Sequence, residues 1–151
     1  MLTIDRVDAA TLPEAVELLA AQFAEHRIAL AVERLESALA GLIGAAGYGA
    51  VLLAREGGRG VGLAAVSYLW TLEHGGLAAW LDELYVVPER RGAGVGSALL
   101  ERAAAVALEA GCSTIDLEVD REHQRAERLY ERTGFVRLPR SRWVRRLETS
   151  R

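Results

Sequence analysis

Arg91-Gly92-Ala93-Gly94-Val95-Gly96 is the segment whose residue types and spacing most directly imply chemistry. A β-branched run stops at Pro88 just before it, and apolar residues at helical spacing follow: Val95, Leu99, Ala103, Val106 and Ala110. Alternating glycines at the mouth of a helix leave backbone N–H groups without intrahelical acceptors and without side chains to hold a ligand off. The helix macrodipole favours negative charge at the same end. The turn is therefore built for a phosphate. Two common phosphate loops do not match it. A Walker loop ends in Gly-Lys-Ser/Thr, and all 18 basic residues of this chain are Arg. A dinucleotide fingerprint begun at Gly94-x-Gly96 meets Leu99 where its third glycine belongs.

The segment resembles the acetyl-coenzyme-A loop of the GNAT superfamily of N-acetyltransferases, Arg/Gln-x-x-Gly-x-Gly/Ala, matched by Arg91, Gly94 and Gly96. The hydrophobic strand ending Val86-Val87-Pro88 precedes it. A second element similar to the family's follows at the usual separation, Ala126-Glu127-Arg128-Leu129-Tyr130-Glu131-Arg132-Thr133-Gly134-Phe135. The resemblance runs from the first strand to near the C-terminus and implies one catalytic domain over residues 1–151, with acetyl-CoA as acetyl donor. It places Leu84, Tyr85 and Val86 along the pantetheine arm. Backbone N–H groups of Arg91, Gly92, Ala93, Gly94, Val95, Gly96 and Ser97 are expected around the pyrophosphate, with charge assistance from Arg91. His123 stands where the family most often has Asn, and an imidazole can donate a similar hydrogen bond to the cofactor. Arg125 is a further candidate for a phosphate.

Acetylating an amine by direct attack poses two proton problems: the ammonium must lose a proton, and the departing thiolate must gain one. Tyr130, at the family's Leu-Tyr position, is the candidate for the second, since a phenol can protonate a thiolate or hydrogen-bond its sulfur. On a helix it shares a face with His123 and Ala126. Glu83 is the leading candidate base, on the strand just before the pantetheine segment. Asp82 is expected on the opposite face unless a bulge swaps the two; Glu73, His74 and Glu118 are the other candidates.

These residues must be held by a single domain, and 151 residues suffice to bury about two thirds of the unfolded surface. No apolar run reaches the roughly 18 to 20 residues of a membrane span, and the first residues lack a signal peptide's basic and apolar regions, so no membrane partner and a cytoplasmic location are expected. Cys112 is the one cysteine, which excludes an intrachain disulfide; with His26, His74 and His123 scattered, no metal-ligand spacing appears and no metal is expected. Residues 1–89 carry 12 acids and 5 Arg, and residues 90–151 carry 9 acids and 13 Arg, so the half with the phosphate loop is basic although the chain is −3 overall. Nucleic acid is a poor partner for such a chain, because no aromatic platform interleaves with the C-terminal arginines.

The patterns predict a strand over 2–7, a helix from about Pro13 capped at Thr11, a helix over 32–42, and strands over 49–55, 61–70 and 77–87. They continue with the helix from Val95, a strand over 113–119, a helix over 121–132, and two last strands at Phe135-Val136 and 143–147. That order is the family's, and the expected fold is an α/β (α+β type) domain, a mixed central sheet of about seven strands flanked by helices on both faces. The expected function is transfer of acetyl from acetyl-CoA to a primary amine, a cationic small molecule, in a ternary complex. The alternatives are acetylation of a protein N-terminus or lysine and, in another class, a non-catalytic acyl-CoA-binding module. Trp70 and Trp143 are candidates for a homodimer seam.

Overall fold

The computed structural model describes residues 1–148. Its elements run β1 (Leu2–Arg6), α1 (Leu12–Glu25), α2 (Val32–Ile43), β2 (Gly49–Glu56), β3 (Arg59–Thr71), β4 (Gly76–Val86), a 3-10 turn (Pro88–Arg90), α3 (Val95–Glu109), β5 (Ile115–Asp116) and α4 (Gln124–Arg132). The strands lie side by side in chain order. The first four pair antiparallel and β5 joins β4 parallel, so the sheet is mixed.

Alternation along β2 and β3 sends side chains to two apolar layers. Val51, Leu53, Leu63 and Ala65 meet Leu18, Leu19, Leu35 and Leu39 of α1 and α2. Leu52, Ala64 and Val66 meet Leu99, Leu100, Ala103 and Val106 of α3 on the other face. Helices thus cover both sides, as the patterning predicts. At the start of α1 the Asp8 carboxylate, rather than a Thr11 cap, accepts from the Ala10 and Thr11 N–H groups at 3.0 and 2.9 Å.

Among the described residues the expectation of about seven strands is corrected to five. The strand expected over 113–119 pairs only at Ile115 and Asp116, and no strand forms from Phe135 to Glu148. Phe135 packs on the α3 layer. Beyond it, apolar side chains find no second layer: Val136, Trp143, Val144 and Leu147 are exposed. Surface ion pairs hold this segment instead, Arg137 to Glu127 at 2.8 Å, Arg140 to Glu73 at 2.7 Å and Arg142 to Glu118 at 2.7 Å. Alternating hydrophobicity specifies a strand only where a partner strand and a layer to bury against are both available.

Leu99 is fully buried between α3 and the sheet, whereas Leu72 is 99% exposed at the β3–β4 turn. Leu99→Ala is expected to lower the unfolding free energy by about 2–5 kcal/mol and Leu72→Ala by less than about 0.5 kcal/mol, read from urea denaturation.

Candidate active site

β4 and β5 pair only through Ala79↔Ile115 and Trp80↔Asp116. Past that point they diverge, and a cleft of about 1160 Å³ opens between Leu81–Val86 on one side and Leu117–Asp120 on the other. The first turn of α3, the end of α1 and the inner face of α4 complete its walls.

A bulge decides which β4 side chains enter the cleft. Glu83 pairs with Ala65 and Leu81 with Val66, so Asp82 is an extra residue without a β3 partner. Leu81 and Glu83, two positions apart, consequently face opposite layers. Leu81 packs with α3, and Glu83 stays with Ala65 on the α1 side. Asp82 projects to solvent at the cleft rim.

The same register sets the backbone. Val87 donates to the Val61 carbonyl at 3.0 Å, so by the antiparallel alternation Tyr85 pairs with Leu63 and Glu83 with Ala65. Leu84 and Val86 therefore turn their N–H and C=O groups to the open edge. Their carbonyls already have partners: Gln22 Nε2 donates to Leu84 O at 3.3 Å and Arg91 Nε to Val86 O at 2.9 Å. Of the three residues expected along the pantetheine arm, Leu84 and Val86 present an edge. Tyr85 faces β3 with its backbone and sinks its ring into the α1–α2 layer.

The glycine turn has the expected shape. Gly92 and Gly94 adopt φ of +77° and +87°, a region that side chains rarely enter. Gly94 caps α3, and the first helical bond, Ala98 N–H to Gly94 O at 3.0 Å, leaves the N–H groups of Val95, Gly96 and Ser97 without intrahelical acceptors. Gly92, Gly94, Gly96 and Ser97 line the cleft. Two candidates do not: Ala93 is exposed, and the Val95 side chain is buried in the α3 layer, leaving only its N–H for a ligand. Arg125 reaches over the turn, with its guanidinium 3.0 Å from where a Cβ on Gly92 would stand.

Arg91 is tied to α1. Its guanidinium donates to both Glu25 oxygens at 2.9 and 2.8 Å, which holds the Glu25 carboxyl below the usual range. Tyr85 Oη donates to the same carboxylate at 3.1 Å. His123 sits at the start of α4 with its ring 5.1 Å from that of His26, at the end of α1. Sequence reasoning missed this α1 terminus, although Gln22, a polar residue on the apolar stripe of Ala15, Leu18, Leu19 and Phe23, is a signal that could have found it.

Glu83 and Tyr130 both line the cleft, and the Glu83 charge acts on the Tyr130 phenol. Burial, then the Asp82 charge, push the Glu83 carboxyl up to about 7, with the Gln22 amide opposing. Burial, then the Glu83 charge, push the Tyr130 phenol up to about 12; its ring packs edge-on against Phe135 at 5.6 Å. The other candidate bases are engaged or misplaced. Glu73 pairs with Arg140, and His74 Nε2 lies 2.9 Å from Asp116 Oδ2; neither lines the cleft. Glu118 lines it but pairs with Arg142 at 2.7 Å.

The family model described as Acetyltransferase (GNAT) family matches residues 12–135. The chain belongs to that family. GNAT acetyltransferases take their acetyl group from acetyl-CoA, and the open β4 edge, the glycine turn and Arg125 fit such a ligand. A structure from Arthrobacter sp. FB24, described as a candidate acetyltransferase, is 31% identical with a TM-score of 0.82 and 96% of each chain covered. Aminoglycoside acetyltransferase AAC(6')-Iy shares the GNAT fold at a TM-score of 0.85 with 16% identity, over 97% of this chain and 99% of that one. Bovine (Bos taurus) thialysine N-epsilon-acetyltransferase is 44% identical over 55 residues, 36% of this chain and 32% of the relative. The chain spans about a third to a half of the length of the curated relatives it matches. Among the described residues, no helix is long and apolar enough to cross a membrane.

Between pH 4.5 and about 7 the folded state keeps a Glu83 proton that the unfolded chain has lost, so unfolding free energy falls as pH rises through that window. The full shift corresponds to about 3 kcal/mol, and solvent screening of the half-buried carboxyl reduces this to about 1–2 kcal/mol. Relative to wild type, Glu83→Gln is expected to gain that amount between pH 4.5 and 8 in denaturant titrations; parallel pH dependences of the two proteins would contradict the raised carboxyl.

Proposed function

We propose that this chain transfers an acetyl group from acetyl-CoA to a primary amine, by preference a cationic small molecule, by direct attack within a ternary complex. The observation that carries the reading is Glu83, a carboxyl poised near neutrality on β4 beside the point where it parts from β5, in one cleft with Tyr130 and the glycine turn. When bound, acetyl-CoA supplies an activated thioester carbonyl. Leu84 and Val86 offer it backbone hydrogen bonds, the N–H groups of Gly92, Gly94, Val95, Gly96 and Ser97 face its pyrophosphate, and Arg125, with His123 at the start of α4, borders the same path. Arg91 contributes charge there by sharing its guanidinium between Glu25 and a phosphate.

Glu83 receives the ammonium proton. As a carboxylate above about pH 7, it is ionised where the reaction needs a base and basic enough to compete for the proton. Tyr130 keeps its own proton: a phenol near 12 is a far weaker acid than a thiol near 8.5, so it serves the departing sulfur chiefly as a hydrogen-bond donor. The two roles are coupled. Neutralising Glu83 removes the charge that helps raise Tyr130 and makes the phenol a better donor when the leaving group forms.

The preference for a cation rests on Asp82, Glu83, Asp120 and Glu122 along the cleft wall. Glu73, held by Arg140, adds nothing to it. AAC(6')-Iy, crystallised with a CoA-acetylneamine conjugate, and the thialysine enzyme both carry names that point to ammonium acceptors.

Two experiments test the proposal. Acetyl-CoA at 100 times its dissociation constant should stabilise the wild type by about 2.7 kcal/mol, and Gly96→Val should lose that gain while still folding; a wild-type midpoint indifferent to millimolar acetyl-CoA overturns the reading. With thialysine, ethanolamine, 1,4-diaminobutane and neamine as acceptors, free-thiol release should rise through about pH 7, and Glu83→Gln should flatten the rise. Tyr130→Phe should lower kcat about ten- to a thousandfold at unchanged acetyl-CoA affinity. Acidic amino acids outrunning this panel would remove the cation preference.

A further inference from the structure

His26 and His123 belong to opposite walls of the cleft, one at the end of α1 and one at the start of α4, and both line it. Their rings meet at 5.1 Å between centroids, tilted by 32°, so the two walls touch here. The chain fixes both backbones. On one side α1 ends in a paired reversal, Ile28 N–H to Phe23 O at 2.9 Å and Arg27 N–H to Ala24 O at 3.3 Å, with His26 as the capping residue. Arg27 completes this reversal at φ +55°, a left-handed position where glycine is usual, so the helix end is held at a conformational cost. On the other side His123 donates its N–H to Asp120 O at 2.9 Å, and its carbonyl accepts from Glu127 N–H at 3.1 Å, opening α4. Among the described residues only the His74 ring has a hydrogen-bond partner, so neither of these imidazoles is committed to the protein's own polar groups.

Contacts on either side locate the crossing. Gln22, one turn before His26, donates to Leu84 O, and Glu25 holds Arg91, which donates to Val86 O. Across the cleft, Arg125 reaches over Gly92 just after His123, while Ala126 and Tyr130 follow at helical spacing and line the cleft. The ring pair therefore stands beside Leu84 and Val86, the stretch that joins the glycine turn to Glu83 and Tyr130. We propose that His26 and His123 form a clasp that closes over the pantetheine arm of acetyl-CoA and holds it against the open edge of β4. This rests on the acetyltransferase reading above, and it adds His26 to the residues that bind the cofactor. The chemistry suits the ligand. The arm is a flexible chain of methylenes and amides; imidazole faces cover the first, and free ring nitrogens can meet the second. Laying such a chain along a strand edge removes conformational freedom, and rings anchored in advance reduce what binding must offset. Because the walls already touch, the rings must part for the arm to enter or leave, so the clasp acts on both rates.

The test measures association and dissociation of CoA, and of 3′-phospho-ADP as the CoA fragment without the pantetheine arm, by surface plasmon resonance on the immobilised protein. His26 is exposed, so its replacement leaves the core untouched. His26→Ala should raise the CoA dissociation rate about tenfold and the association rate by less than about threefold, with 3′-phospho-ADP affinity within about twofold of wild type. His26→Phe, which keeps a ring against His123, should bring CoA dissociation back to within about threefold of wild type. A helix end merely disturbed by the substitution would weaken both ligands alike. His26→Ala combined with His123→Ala should release CoA no faster than about twice the rate of either single variant, because a clasp is lost once one half is gone. Unchanged CoA rates in His26→Ala, or equal losses for CoA and the fragment, overturn the proposal. So does faster association at unchanged dissociation, the mark of rings that obstruct the arm. In each of these cases CoA binding by the wild type keeps the enzyme reading, whereas absence of wild-type binding removes both.

Discussion

After Trp80 and Asp116, β4 and β5 stop exchanging hydrogen bonds, and the cleft exists because of that parting. An open strand edge inside a domain would normally be a liability, since its N–H and C=O groups need partners. Here the Leu84 and Val86 carbonyls are met by Gln22 and Arg91, one from α1 and one from the glycine turn, so the edge is half-satisfied and half-available. The bulge at Asp82 supplies the second condition. With regular pairing, Glu83 would share a face with Leu81 and be driven into the α3 layer; the extra residue turns it to the α1 side, where it lines the cleft.

The electrostatics follow from the same geometry. Glu83 and Tyr130 are both withdrawn from water and both raised, and the charge of one raises the other. Two groups coupled in this way respond to a single proton: when the carboxylate is neutralised, the phenol nearby gains donor strength. At the opposite end, Glu25 gathers Arg91 and the Tyr85 hydroxyl, joining the end of α1 to the glycine turn. Arg91 thereby ties the glycine turn to the helix that carries Gln22.

The arginine-rich segment after Phe135 shows how ion pairs replace a strand. Its apolar residues have the spacing of a strand but no layer to bury against, while its arginines find acids on α4, the β3–β4 turn and the residues after β5. Arg142 also lies 5.0 Å from the Trp80 ring centroid, a contact that covers an aromatic at the sheet edge.

Local chemistry made much of this protein legible from its sequence. Helix-period and alternating patterns located α1 to α4 and β1 to β4, and the glycines at 92 and 94 announced the turn into α3, because only glycine enters those φ values freely. Glu83 and Tyr130 were identifiable as candidates by residue type and family resemblance. Tertiary structure alone decided which way Glu83 faces, because a bulge inverts alternation without leaving a mark in composition. It also decided that Arg91 is bound to Glu25, that Gln22 closes the wall, and that the expected last strands lie unpaired. Each of these depends on contacts between residues 15 to more than 60 positions apart, where burial and the supply of partners, rather than local propensity, set the outcome.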